Sequence, residues 1–207
     1  MLRRLTLAAL LTAPGTPAAA QSAVEPAVQT AAQSATAVRM LLVTGRAPQV
    51  CAMQTGRIQT GSLNNVSGID GDTLRIVELA DPRTLAARAS SATISFSAVC
   101  NYPHSLRIES QNNGLWPTDG RNGAATGGFA YAVPYQARLQ WGATSGALDA
   151  DAKVRRTAEQ RLNVDDATAG DVQLRVDIAD GASNLDQRAP LAAGAYGDTI
   201  RIFLEPR

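Results

Sequence analysis

The chain has 207 residues, 45% of them hydrophobic but only 4% aromatic, and 19 basic against 18 acidic residues leave a net charge of +1. Lys153 is the sole lysine and the arginines form no tract, which excludes nucleic acid or an anionic membrane as a partner chosen by charge. The length suits one domain with an added arm.

Arg3 and Arg4 precede an apolar run from Leu5 to Ala13 and then Ala18-Ala19-Ala20, the pattern of a secretory signal over residues 1–20 cleaved after Ala20. The run is far shorter than the roughly 20 residues of a membrane-spanning helix. No later segment approaches that length, so an exported, soluble chain without a membrane span is expected. Residues 21–36 are rich in Ala, Gln, Ser and Thr, with Val24 and Val28 as their only sizeable apolar groups. They read as a flexible N-terminal arm that cannot build a core alone. Val38 to Val43 is apolar apart from Arg39 and predicts a strand, closed by Gly45 and Pro48, at the start of a domain over residues 37–207.

Short alternating segments separated by Gly, Asn, Asp and Pro then follow one another. Thr73 to Val77 comes after Asp70-Gly71-Asp72, and Leu85 to Arg88 after Pro82 permits a helical turn. Ala92 to Cys100 places Ile94, Phe96, Ala98 and Cys100 on one face, and Ser105 to Glu109 follows Pro103. The longest alternation puts Phe129, Tyr131, Val133, Tyr135, Ala137, Leu139 and Trp141 on one side. Asp149 to Asp166 is charged, with Val154, Ala158 and Leu162 spaced at four, and reads as a short amphipathic helix or a solvated surface insertion. Gln173 to Ile178 resumes the alternation, and Pro190 to Ala195 leads into Tyr196 to Leu204, where Ile200, Ile202 and Leu204 share a face. Several short strands with turn punctuation predict an all-β sandwich or barrel. In a sandwich, a closing strand with no successor leaves an edge open to aggregation or to a strand from another chain.

Cys51 and Cys100 are the only cysteines, and an even pair in an exported chain favours a disulfide over two free thiols. Its loop-closure contribution is on the order of 4 kcal/mol at most. Two thiols and the single His104 cannot complete a structural zinc site. His104 and the adjacent Ser105 read as turn residues rather than as a base and a nucleophile, which geometry and not adjacency defines. Asp70, Asp72, Asp165 and Asp166 fit turns better than a calcium loop or a glycosidase pair. Asn65-Val66-Ser67 is a formal glycosylation triplet. Tyr131, Tyr135 and Trp141 share a face with Val133 and Leu139 and suit a core, whereas Trp116 is the candidate surface aromatic for a carbohydrate-binding module. No catalytic residue and no cofactor is expected.

Leu191-Ala192-Ala193-Gly194-Ala195-Tyr196-Gly197-Asp198-Thr199-Ile200-Arg201-Ile202 resembles the closing strand of the spore coat protein U family, relatives of archaic chaperone–usher pilus subunits. Pro134 to Leu139 and Cys100 to Leu115 resemble that family's middle strands more loosely. The resemblance implies an immunoglobulin-like, pilin-type sandwich with one disulfide that lacks its final strand. It implies passage through the periplasm to the cell surface, with a periplasmic chaperone, an outer-membrane usher and neighbouring pilus subunits as partners. The acceptor edge would be Tyr196, Ile200, Ile202 and Leu204, and Val24 and Val28 would be the donor-strand candidates. The alternative function is a monomeric secreted binding module using Trp116.

Overall fold

A computed structural model describes residues 38–54, 59–70, 72–120 and 127–207. The expected signal, the arm, and with them Val24 and Val28 lie outside the described residues. The chain divides into two units, residues 1–45 and 46–207. In the first, Val38 to Val43 forms no strand, and Val38, Met40, Leu41, Leu42 and Val43 are 79–91% exposed. This corrects the strand expected there: apolar composition suits a pleated surface, but a strand exists only where its backbone finds a ladder partner.

Every regular element among the described residues of the second unit is a strand. In chain order they are β1 (Cys51–Met53), β2 (Gln59–Asn64), β3 (Val66–Asp70), β4 (Thr73–Ile76), β5 (Ser90–Cys100), β6 (His104–Ser110) and β7 (Trp116–Pro117). The series continues with β8 (Tyr135–Trp141), β9 (Thr144–Ala150), β10 (Ala158–Val164), β11 (Thr168–Ile178), β12 (Tyr196–Gly197) and β13 (Ile200–Pro206). The large sheet has the order β1-β5-β11-β8-β9, with β2 pairing β5 beside β1, and a three-stranded sheet has the order β10-β6-β13. All of these ladders are antiparallel.

The alternation read from the sequence fills the space between the two sheets. Ile94 of β5, Val172 and Leu174 of β11, Ala137, Leu139 and Trp141 of β8 and Leu148 of β9 meet Leu106 and Ile108 of β6 in one buried cluster. The fold is thus an all-β sandwich with one disulfide, Cys51 to Cys100, with a Cα–Cα distance of 4.0 Å and 49 positions between them. The two cysteines face each other directly in the β1–β5 ladder, so the bridge pins the first strand of the sandwich to its longest neighbour. Asn101 extends the clamp, accepting from the Val50 amide at 2.8 Å and donating to the Pro48 carbonyl at 2.8 Å.

Two sequence expectations change. The region 149–166 is neither a helix nor an insertion: Thr144–Ala150 and Ala158–Val164 are strands, and β10 pairs along its whole length with β6. A spacing of four satisfies a period of two as well as a helical turn, and the β6 edge decides between them. The long alternation from Phe129 shortens to Tyr135–Trp141. Pro134 has no N–H for a ladder. Upstream, the Tyr131 and Ala132 amides both donate to Asn184 Oδ1 at 3.1 Å, while Ala130 and Ala132 turn inward. Phe129 is left 39% exposed.

Candidate functional site at the open edge of the closing strand

The two lateral edges of the sandwich differ. On one side β9 and β10 lie against each other, and the Leu162 side chain packs directly over Gly146. On the other side β1 and β13 lie alongside with no ladder between them, each terminating its sheet. The difference shows in burial along a single pairing. Leu106 and Ile108 of β6 are fully buried, whereas their partners Leu204 and Ile202, and Ile200 beside them, are only half-buried. Phe96 and Cys51 on the opposite sheet are also part-exposed members of the same core rim. The inward face of β13 therefore presents apolar surface along an edge whose backbone has one free side among the described residues, the arrangement that strand addition completes.

The outer face of β13 fixes its pairing to β6. Arg107 donates to Glu205 Oε1 from Nε at 3.0 Å and from Nη2 at 2.9 Å, and its guanidinium lies 3.8 Å from the centre of the Phe203 ring. Glu109 accepts from Arg107 and from Arg201, and Arg161 pairs with Glu205. The Glu205 hydrogen bond, ahead of the charges of Glu205 and Glu159, holds the Arg107 pKa above its ordinary value.

Tyr196 does not lie on the open edge. It belongs to β12, which pairs with β7 through Tyr196–Pro117 and Gly197–Trp116. It therefore stands outside β13, the strand that carries Ile200, Ile202 and Leu204. The Tyr196 hydroxyl donates to the Ala192 carbonyl at 2.7 Å, a link back over the preceding turn like the tyrosine corner of Greek-key sandwiches. Between β12 and β13 stands Asp198, whose role the sequence reading missed. Its Oδ2 accepts from Ser110 Oγ at 2.5 Å, from the Tyr135 hydroxyl at 2.7 Å and from the Gly114 amide at 3.4 Å. Its Oδ1 accepts from the Thr199 and Asn112 amides at 2.7 and 2.9 Å and from Asn112 Nδ2 at 3.1 Å. Gly114, at φ 135°, backs so closely onto Ala152 that a side chain would collide.

Burial, and after it the charge of Asp198, pushes the Tyr135 hydroxyl well above its ordinary pKa. A pKa raised by folding stabilises the protein below the unfolded value, about 10, and that contribution is lost as pH rises above it. The expected loss for this group is about 1.4 kcal/mol per pH unit while only the unfolded chain is ionised. Urea midpoints followed from about pH 9 to about pH 11 should therefore fall more steeply in the native chain than in Tyr135→Phe. Parallel slopes would contradict this.

Other candidates are structural. His104 is fully buried rather than in a surface turn, because it begins β6 facing inward. Its Nδ1 is 2.8 Å from the Tyr102 carbonyl and its ring centre 4.8 Å from that of Trp141. Ser105 points to the opposite face of the strand, so the two side chains do not converge. Trp116 is 6% exposed and packed with Ala132 and Ala152, so almost none of its surface reaches solvent. Asn65 Nδ2 donates to the Glu78 carbonyl and to Ser90 Oγ, so the amide of the glycosylation triplet is already engaged. Among the described residues no three His, Cys, Asp or Glu side chains are grouped to hold a metal, and no helix is long and apolar enough to cross a membrane. Comparison with known proteins finds no family model and no curated sequence that matches the chain.

Proposed function

We propose that this chain is a structural subunit of an extracellular fibre, exported through the periplasm and assembled by strand donation across the open edge of β13. One observation carries the reading: Ile200, Ile202 and Leu204 face the core yet stay half-buried on β13, which among the described residues is paired on one side only. A donated strand would add main-chain hydrogen bonds along β13 and cover those half-buried groups with alternate side chains. A periplasmic chaperone would supply that strand first and a neighbouring subunit afterwards, delivered at an outer-membrane usher. Donation passed head to tail does not close on itself and yields a filament.

The donor that suits this edge is Val38 to Val43 rather than the Val24–Val28 segment. It carries larger apolar groups, and they are exposed. With Arg39 turned to solvent, Val38, Met40 and Leu42 fall on one side, three inward groups for the three on β13. The carbohydrate-binding alternative has lost its platform with the burial of Trp116.

A copy lacking residues 1–43 keeps the whole sandwich but has no donor. Added to the mature chain, it should cap growing assemblies and shorten them in proportion to its share. Assemblies unaffected by the truncated copy, or a mature chain whose mass stays monomeric at every concentration, would overturn the reading.

A further inference from the structure

We propose that Asp198 is a positioning residue that fixes the register of β13 against β6, and with it the place at which an incoming strand meets the sandwich, an inference that rests on the accepting role given to that edge above. β12 and β13 form one extended stretch broken only at Asp198-Thr199, while the facing strands β6 and β7 are separated by residues 111–115. Pairing is regular on both sides of the break, Gly197 with Trp116 and Ile200 with Ser110. The longer side therefore carries backbone amides that no strand can take, and the Asp198 carboxylate accepts those of Asn112 and Gly114. Ser110 and Tyr135 bring hydroxyl donors to the same carboxylate from β6 and β8.

This matters because the hydrophobic pattern alone leaves register undecided. A slip by one residue would turn Ile200, Ile202 and Leu204 outward and is strongly opposed. A slip by two keeps every apolar group inward. What opposes the two-residue slip is the pair of anchors at the strand's ends, Asp198 at its start and Glu205 on Arg107 near its close. Asn at 198 would keep the size but present an NH2 group to the Gly114 amide, itself a donor, and would require the Ser110 and Tyr135 hydroxyls to accept where they now donate. The start of β13, and every register measured from it, would then be free to shift.

The test uses the mature chain and a synthetic peptide of residues 36–46 with a photo-crosslinking group at position 40. The native chain should capture the peptide and cross-link at one place on or opposite β13. Asp198→Asn should bind about tenfold more weakly or worse, with cross-links spread over sites two residues apart. Near-ultraviolet circular dichroism checks that the variant is folded. Should it not fold, Tyr135→Phe, which removes one donor and leaves the carboxylate, should give a smaller spread in the same direction. A folded Asp198→Asn, or Tyr135→Phe in its place, with unchanged affinity and a single cross-link site overturns the Asp198 proposal alone. A native chain that captures no peptide overturns the accepting role and this proposal with it.

Discussion

The double variant Cys51→Ser/Cys100→Ser should lose about 2–4 kcal/mol of stability in urea titrations under oxidising conditions. The bridge spans 49 positions, so opening it releases a long loop in the unfolded chain. In the folded chain, β1 has only three residues and, among the described residues, pairs only with β5. Without the bridge that short ladder should fray, and β1 lies beside β13. The variant should therefore also assemble poorly at temperatures where it is still folded. Unchanged urea midpoints for oxidised native chain and double variant would contradict this.

The second large effect concerns the donor segment. Met40→Asp with Leu42→Asp places two carboxylates where apolar side chains would pack beside β13, and each buried unpaired charge costs several kcal/mol. Association measured by light scattering across a dilution series should weaken by about 100-fold or more. Leu41→Asp is the control of opposite parity: its side chain would face outward, and association should change little. Because Met40, Leu41 and Leu42 are all exposed, none of these changes should lower the stability of the sandwich itself. Equal loss in both variants would argue for nonspecific apolar association rather than a strand.

The parts of this fold that were legible in the sequence are those decided locally. Ile94, Phe96, Ala98 and Cys100 alternate because β5 has a buried face, and the same period marks Ile200, Ile202 and Leu204. The cysteine pairing followed from there being only two. What misled were residues whose state depends on distant partners. His104 and Trp116 follow turn-like residues, yet both are buried against residues remote in sequence, His104 beside Trp141 and Trp116 with Ala132 and Ala152. Ala158 to Val164 satisfied two periods at once, and only its pairing with β6 separated them. Val38 to Val43 had strand composition but forms no strand with any of the described residues. Asp198 stood in view between Gly197 and Thr199, where a carboxylate reads as turn chemistry. Its donors lie 63 to 88 positions away, apart from the adjacent Thr199 amide, and no local pattern points to them.

The most direct test of strand donation is amide hydrogen exchange along Ile200 to Leu204, resolved by residue, in dilute monomer and in the assembled state. In the monomer the amides directed toward β6 should be protected and the alternate ones should exchange quickly, because β13 is paired on one side. In the assembly both sets should be protected, and residues 38–43 of the donating copy should gain protection with them. Assemblies in which the alternate amides of β13 still exchange as quickly as in the monomer would contradict donation to this edge.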